Sequence, residues 1–288
     1  MFIDPMLLAT APAPFSDSRF IFEPKIDGHR LIFSQQNGVV RLYTRHNNDC
    51  TRQYPEIASA LFPHDIVLDG EIACVDPVKG ISDFESVMAR FQAKRAERVS
   101  ALTATLPVTF VIFDVLQYKE QDLRRLPLIQ RKEILASISL PSASFGIIPF
   151  IEGAGEALFT QIEEREMEGV VGKRKDSLYE TGRRSDNWRK VINWSYADVF
   201  ITGYRKEEFG WLVAVPALDN AKMRPSGIIE LGANPTHKKA FYNVVKPLII
   251  GEDRNFVYVE PRIRARVKMR NWTKSGMLRS PVFMEFVV

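Results

Sequence analysis

Residues 21–43 run in short apolar stretches broken at Asp27-Gly28 and again at Asn37-Gly38, and the second pair is a strong signal for a tight hairpin. An antiparallel sheet is expected to begin there, with Gly28 free to take a positive φ at the sharp Asp27-Gly28 bend. Further on, Ser82-Asp83-Phe84-Glu85 has the spacing of a capping box. Phe84, Val87, Met88 and Phe91 share one face of the helix that follows, predicted to reach about residue 99. That stripe reads as core packing. An apolar run at 108–113 suits a buried strand, Pro127 opens a helix predicted to end at 138, and 156–166 forms another.

Composition changes at Trp194-Ser195-Tyr196-Ala197-Asp198, after which short strands dominate at 199–204, 211–215, 228–231 and 258–269. One helix interrupts them, starting at Thr236 and carrying Phe241, Val244, Val245 and Leu248. Short strands with a single helix suggest a small barrel, so two domains are expected, 1–194 and 195–288. The last of these strands and the residue just after it carry Arg262, Arg264, Arg266, Lys268 and Arg270 at every second position, with Ile263, Ala265, Val267 and Met269 between them. Alternate side chains of a strand face opposite ways, which predicts one apolar face and one continuous cationic face suited to a phosphate backbone. An ordinary solvated strand face is the plain alternative.

A chain of 288 residues, 45% apolar and 26% charged, can bury a sizeable core. Its net charge of +4 is too mild to name a partner, so placement of the cations matters more than their excess. Cys50 and Cys74 lack any zinc spacing or disulfide framework and read as reduced thiols. No stretch approaches the roughly 20 apolar residues of a membrane span. Met1-Phe2-Ile3-Asp4-Pro5 lacks the basic start and long apolar run of a signal peptide. A soluble protein of the cytoplasm with no membrane partner is expected, nucleoid-associated in a bacterium.

Candidate chemistry centres on Glu23-Pro24-Lys25-Ile26-Asp27-Gly28-His29-Arg30. Lysine attacks an electrophile only as the neutral amine, and a reference pKa of about 10.4 leaves roughly one molecule in a few thousand neutral at pH 7. A site can supply the missing 4 to 5 kcal/mol, roughly, by desolvation or a neighbouring cation. Arg30 adds a donor fork that suits phosphate. Alone, the motif also fits a surface hairpin with a solvated lysine.

Companions follow it in order: Thr44-Arg45-His46-Asn47, Leu68-Asp69-Gly70-Glu71, Phe110-Val111-Ile112-Phe113-Asp114-Val115-Leu116, Glu168-Gly169-Val170-Val171-Gly172-Lys173 and Trp188-Arg189-Lys190. Together they resemble the motif series of the covalent nucleotidyltransferases, most closely the ATP-dependent DNA ligases, from about Pro5 to Phe283. The tail Gly276-Met277-Leu278-Arg279-Ser280-Pro281-Val282-Phe283 resembles the end of the ligase module of bacterial end-joining ligases.

The resemblance implies an α+β chain: a nucleotidyltransferase (adenylation) domain with antiparallel sheets and helices, then an OB-fold barrel. It implies that Lys25 attacks the α-phosphorus of ATP to form a lysyl-AMP phosphoramidate, while Asp27 orders the turn. Glu23 is then expected at the adenine end, with Phe113 stacked on the base and Arg30 and Arg45 near AMP and the nick 5′-phosphate. Glu71 reaches the ribose or a metal-bound water, and Glu168 lies near the catalytic metal. Hard carboxylates beside a triphosphate imply Mg²⁺, with Mn²⁺ as its substitute. Lys173 and Lys190 approach the α-phosphate. Arg183 and Arg184, on the loop leading to Trp188, touch nucleic acid, and Arg279 contacts pyrophosphate.

Three positions depart from the family pattern. Asn47 stands where a glycine is usual, which asparagine tolerates at positive φ. Lys190-Val191-Ile192 lacks the second lysine of Lys-x-Lys, and Leu278-Arg279-Ser280-Pro281 replaces a basic-acidic-lysine pattern. The expected function is a monomeric ATP-dependent DNA ligase sealing 3′-OH/5′-phosphate nicks in duplex DNA through lysyl-AMP and DNA-adenylate, with a hinge near 193–198. Any recruiting protein is unnamed by the sequence. An RNA ligase or capping guanylyltransferase shares the lysine motif, and a noncatalytic nucleic-acid-binding module is the alternative of another class. Arg183-Arg184-Ser185-x-x-Trp188 disfavours capping, and the complete lysine motif disfavours the binding module.

Overall fold

The structure, a computed structural model, describes residues 1–75, 80–217 and 222–287. The chain divides into two compact units, Met1–Asn193 and Trp194–Val288.

Two sheets build the first unit. One contains β1 (Leu7–Thr10), β2 (Asp17–Pro24), β9 (Ile151–Gly153), β10 (Gly169–Arg174) and β11 (Arg184–Ile192), in the order β1-β11-β10-β2-β9. The other contains β3 (His29–Gln36), β4 (Val39–Thr44), β5 (Ile66–Ala73), β6 (Thr109–Tyr118) and β7 (Gln121–Asp122), in the order β4-β3-β5-β6-β7, with β8 (Phe145–Ile147) added beside β6. β1 runs parallel to β11 and β8 parallel to β6, so the sheets are mixed and not antiparallel throughout. Long excursions of chain separate both pairs, as a parallel pairing requires.

Alternation sorts the side chains into layers. Phe20 and Phe22 of β2 pack on Phe159 and Ile162 of α5 (Gly155–Glu164), while Ile21 faces the other sheet. Leu31 and Phe33 of β3 face a core that also takes Ile57 of α1 (Pro55–Ala58), Val87 of α2 (Phe84–Gln92) and Leu135 of α4 (Leu128–Ala136). Ile32 points the opposite way, into a third cluster with Met6, Ile21, Val67, Leu116 and Trp188. That cluster joins side chains from both sheets.

The Asn37-Gly38 hairpin forms with φ of 50° and 74° at its two residues. The helix expected to reach residue 99 ends at Gln92, and α3 (Ala96–Thr105) follows as a separate element. Its N-cap is Asp83, whose carboxylate accepts from the N–H groups of Glu85 and Ser86. Ser82 is therefore not the cap of a capping box. Arg184 is already inside β11, because β1 pairs with it through Leu7, so the loop expected to carry both Arg183 and Arg184 ends one residue earlier.

In the second unit β12 (Ser195–Arg205), β13 (Trp211–Pro216), β14 (Met223–Ile229), β16 (Phe256–Met269) and β17 (Val282–Val287) form a sheet in the order β14-β13-β12-β16-β17. A parallel bridge joins Leu231, just past β14, to Val282 at the start of β17. β15 (Ile249–Glu252) pairs with the start of β16, and α6 (Pro235–Val244) lays Phe241 against Trp211 with ring centroids 4.9 Å apart. Ala265, Val267 and Met269 are buried as the alternation predicts.

The cationic face of β16 is not continuous. Asp198 stands opposite Arg266 on β12 and accepts from Arg266 at 2.9 Å and Arg264 at 3.3 Å. Arg262 pairs with Glu260 at 2.7 Å, while Lys268 and Arg270 lie 5.0 and 4.9 Å from the centre of the Trp194 ring. A strand read alone does not reveal the carboxylate its neighbour sets between the cations.

Candidate active site

β2 and β3 belong to different sheets, and the segment Lys25 to Gly28 carries the chain across. The antiparallel ladder between β2 and β10 pairs Pro24 with Val170, and the next rung bonds the Lys25 N–H to the Gly169 carbonyl at 2.8 Å. That register sets Glu168 beside the lysine: Lys25 Nζ donates to Glu168 Oε2 at 2.6 Å, across 143 residues of sequence. Gly169 takes a φ of 150°, and a Cβ there would stand 2.1 Å from the Val191 carbonyl oxygen.

Gly28 does not adopt the positive φ expected of it. A Cβ at this position would meet the Ile72 carbonyl oxygen at 2.1 Å, so close approach of β5 is what demands glycine. The Asp27 N–H donates to the Ser82 hydroxyl at 3.1 Å, which ties the lysine segment to the start of α2.

Arg30 and Glu71 are register partners on β3 and β5. The Arg30 fork donates to both oxygens of Asp69, at 3.0 and 2.6 Å, and its third nitrogen to the Met6 carbonyl at 2.6 Å. Tyr179 adds a donor to Asp69 at 2.6 Å and accepts from the Met6 N–H at 3.0 Å. Burial disfavours the Arg30 charge, but Asp69 outweighs it and holds the pKa above the ordinary arginine value. Half-buried Glu71 feels the opposite balance. Desolvation pushes its carboxyl up to about 8, against the pull of Lys25 and Arg30 and with Glu168 adding to the rise.

Glu23 is buried, at 2% exposure, and forms ion pairs with Lys132 of α4 and, at 2.7 Å, with Lys173 of β10. The Lys173 ammonium also lies 4.3 Å from the centre of the Phe113 ring and 4.1 Å from that of Trp188. Burial lowers its pKa to about 8, with Glu23 opposing and Lys132 reinforcing the change. Phe113 meets Trp188 edge-on at 6.4 Å and carries the Arg30 guanidinium 5.3 Å from its centre. Lys25, Glu23, Arg30, Glu71, Phe113, Lys173 and Trp188 line a single cavity with Leu8, Pro24, Ile26, Ile148 and Val171.

Other expected residues lie outside that lining. Lys190 pairs with Val171 and shares a sheet face with Trp188 two residues earlier. Ile192, where a second lysine is usual, is buried opposite Gly169. Arg45 is exposed on the turn after β4, where Asn47 takes the φ of 60° that its replacement of glycine requires. Arg183 is exposed just before β11, and the Arg184 guanidinium donates to the Leu8 carbonyl. Arg279 belongs to the second unit, where its N–H donates to the Asn271 carbonyl at 3.0 Å.

Sequence reasoning missed Lys132, Asp69, Tyr179 and the buried pair of Arg131 and Asp114, joined by two bonds of 2.8 Å. Leu128, Arg131, Lys132 and Leu135 form the buried stripe of α4. Two adjacent cations on an apolar stripe signal buried charges that need partners, and this clue was present in the sequence. Nothing local marks Tyr179. Among the described residues there is no cluster of three or more His, Cys, Asp or Glu side chains able to hold a metal ion.

The family profile described as the ATP dependent DNA ligase domain matches residues 5–191. The chain is 37% identical to the SPbeta prophage-derived DNA ligase-like protein LigB of Bacillus subtilis (strain 168), across 98% of both chains. It is 28% identical to the multifunctional non-homologous end joining protein LigD of Mycobacterium bovis; 91% of this chain is matched, spanning only 35% of that protein's length. Among solved structures, mycobacterial DNA ligase D complexed with ATP and MES aligns with a TM-score of 0.59 at 26% identity, covering 99% of this chain and 95% of that one. A profile match over more than half the chain, joined to a full-length relative, makes this protein a member of the ATP-dependent DNA ligase family.

Proposed function

We propose that the cavity between the two sheets of the first unit takes ATP, and that Lys25 carries AMP from it to nicked duplex DNA. The observation that carries this reading is the setting of Lys25. Its amine is held 2.6 Å from Glu168 in a cavity that also presents an aromatic pair and a buried lysine. In the first step Lys25 Nζ forms a bond to the α-phosphorus, the bond to the bridging oxygen breaks, and pyrophosphate leaves. Glu168 Oε2 is placed to accept the proton released from Nζ. The 5′-phosphate of a nick then displaces lysine from AMP, and the 3′-hydroxyl displaces AMP to close the strand.

Beyond the bond to Lys25 the protein adds no covalent chemistry, so positioning and charge neutralisation dominate the rest. Lys173, with its pKa lowered by burial to about 8 and aromatic rings on two sides, supports a role at the phosphates, and Lys190 shares its sheet face. Phe113 offers a ring for adenine, with Glu23 linked to it through Lys173, while Arg30 keeps one N–H on each terminal nitrogen for AMP. Glu71 and Glu168 fit Mg²⁺, or Mn²⁺, because both offer carboxylate oxygens near Lys25, Glu168 through its 2.6 Å bond and Glu71 through charge, and burial of Glu71 outweighs the pull of Lys25 and Arg30, so that a further cation would favour its ionised form. Two carboxylates suffice when phosphates complete the shell. The ion would supply charge neutralisation at those phosphates.

The first unit fits the role of adenylation domain, and the sheet of the second, with its bridge from Leu231 to Val282, supports an OB-fold that grips duplex phosphates through Arg262, Arg264, Arg266, Lys268 and Arg270. Arg45, Arg183 and Arg184 are further candidates for DNA, and Arg279 for pyrophosphate. Sealing of a nicked duplex tests the whole reading: closure is expected with ATP and not with NAD or GTP. Absence of closure with ATP and either metal overturns it.

A further inference from the structure

Two cations share one buried anion beside the cavity. Glu23, Lys132 and Lys173 are each at most 4% exposed, and both lysines pair with the single carboxylate. Each ammonium carries three donors and Glu23 is the single carboxylate both pair with, so both retain donors for a further partner. Their positions differ. Lys173 lines the cavity between the rings of Phe113 and Trp188, whereas Lys132 reaches Glu23 from α4 and is not part of that lining. Asp114, the next carboxylate to act on Lys173, is already bonded to Arg131 through both oxygens.

We propose that Lys132 is a positioning residue for adenylation: it keeps the Glu23 carboxylate neutralised and in place, so that Lys173 can turn to the triphosphate without leaving a buried, unpaired anion behind. The inference rests on the reading of the cavity as the ATP site. Leaving a buried carboxylate without a counter-ion costs far more than exchanging one counter-ion for another. With Lys132 in place the cluster tolerates the departure of Lys173. Without it, Lys173 is the sole counter-ion of Glu23 and stays. Charge balance also ties the two lysines together. Glu23 on β2 and Asp114 on β6 favour the charged form of Lys173, while burial and Lys132 on α4 disfavour it. Removing Lys132 therefore moves the titration of Lys173 to higher pH.

Lys132→Met and Lys132→Arg, compared with the wild type, test this through self-adenylation by labelled ATP from mildly acidic to alkaline pH. In Lys132→Met, kcat/KM for ATP is expected to fall on the order of 10- to 100-fold, as when a partner one shell removed from a reacting group is lost. The alkaline limb of the profile should also move to higher pH. Lys132→Arg should restore both the rate and the position of the limb. An unmoved limb in Lys132→Met overturns the inference even if the rate falls, because a packing defect lowers rate without shifting a titration. If Lys132→Met does not fold by thermal unfolding, Lys132→Gln keeps a polar group beside Glu23 and is read in the same way. A labelled wild type with an unaffected Lys132→Met overturns this inference alone. No label on the wild type overturns the ATP reading and the inference with it.

Discussion

The cavity of the first unit and the β16 face of the second both collect cations, but they hold them by different physics. In and beside the cavity the paired cations are wholly or partly withdrawn from water and fixed by partners: Arg30 on Asp69, Lys25 on Glu168, and Lys132 with Lys173 on Glu23. On β16 the arginines are substantially exposed, and Asp198, itself held below the usual carboxylate range by its bond to Arg266, answers two of them. Exposed pairs are worth little one by one and are screened by salt, whereas a buried charge stripped of its partner is expensive. Single substitutions should therefore be decisive in the first unit, and only sums of them should matter on β16.

The largest expected effect is at Lys25. Lys25→Ala should abolish lysyl-AMP formation yet still seal DNA already adenylated at the nick, because the lysine serves only until AMP moves to DNA. An intact AMP adduct on the variant, seen by mass spectrometry, breaks the comparison at its strongest point. Glu168→Ala comes next. It should lose most sealing while unfolding at the wild-type temperature, since the side chain holds the lysine amine and fits a metal. Unimpaired multiple-turnover sealing in Mg²⁺ would remove Glu168 from the site.

A stability effect follows, in the same unit. Arg131→Met strips the fully buried Asp114 carboxylate of its bonded cation and leaves it only the Val115 N–H, and breaking such a pair costs about 3–5 kcal/mol. Denaturant titration measures this, and a loss under about 1 kcal/mol would place Arg131 with the weak surface pairs instead. The smallest single-site effects belong to β16. Neutralising Arg264 and Arg266 together should make the log-log salt slope of nick binding shallower by as much as about 2, uniformly across DNA sequences. Competition from Asp198 lowers that change, and Asp198→Asn should tighten binding. An unchanged slope, or adenylation that collapses while duplex binding survives, assigns this strand to ATP or to solvent.

What the sequence made legible is what local chemistry dictates. The Asn37-Gly38 turn needs two positive φ values, the β16 alternation follows from the strand period, and Asn47 has to be left-handed where glycine is usual. Spacing within one element carries all three. The convergence of Glu71, Glu168 and Lys25 came from motif resemblance, because the ladder register that joins Glu168 to Lys25 spans 143 residues and leaves no local trace. Gly28 shows the opposite failure: its local signal suggested a turn glycine, and the reason for it is a neighbouring strand. Tyr179, Asp198 and the burial of Glu23 are likewise settled by which segment lies across from them. Lys132 stands apart, since its place on an apolar helical stripe beside Arg131 was readable in advance.

The central claim is that Lys25, held by Glu168 in the cavity between the sheets, is the residue that takes AMP. Peptide mapping by mass spectrometry, after incubating the intact protein with ATP and divalent metal without DNA, tests it most directly. One AMP adduct is expected, on the peptide containing Lys25 and at that residue, with none formed from GTP or NAD. An adduct on Lys173, Lys132 or Lys190, or no adduct from ATP, contradicts it.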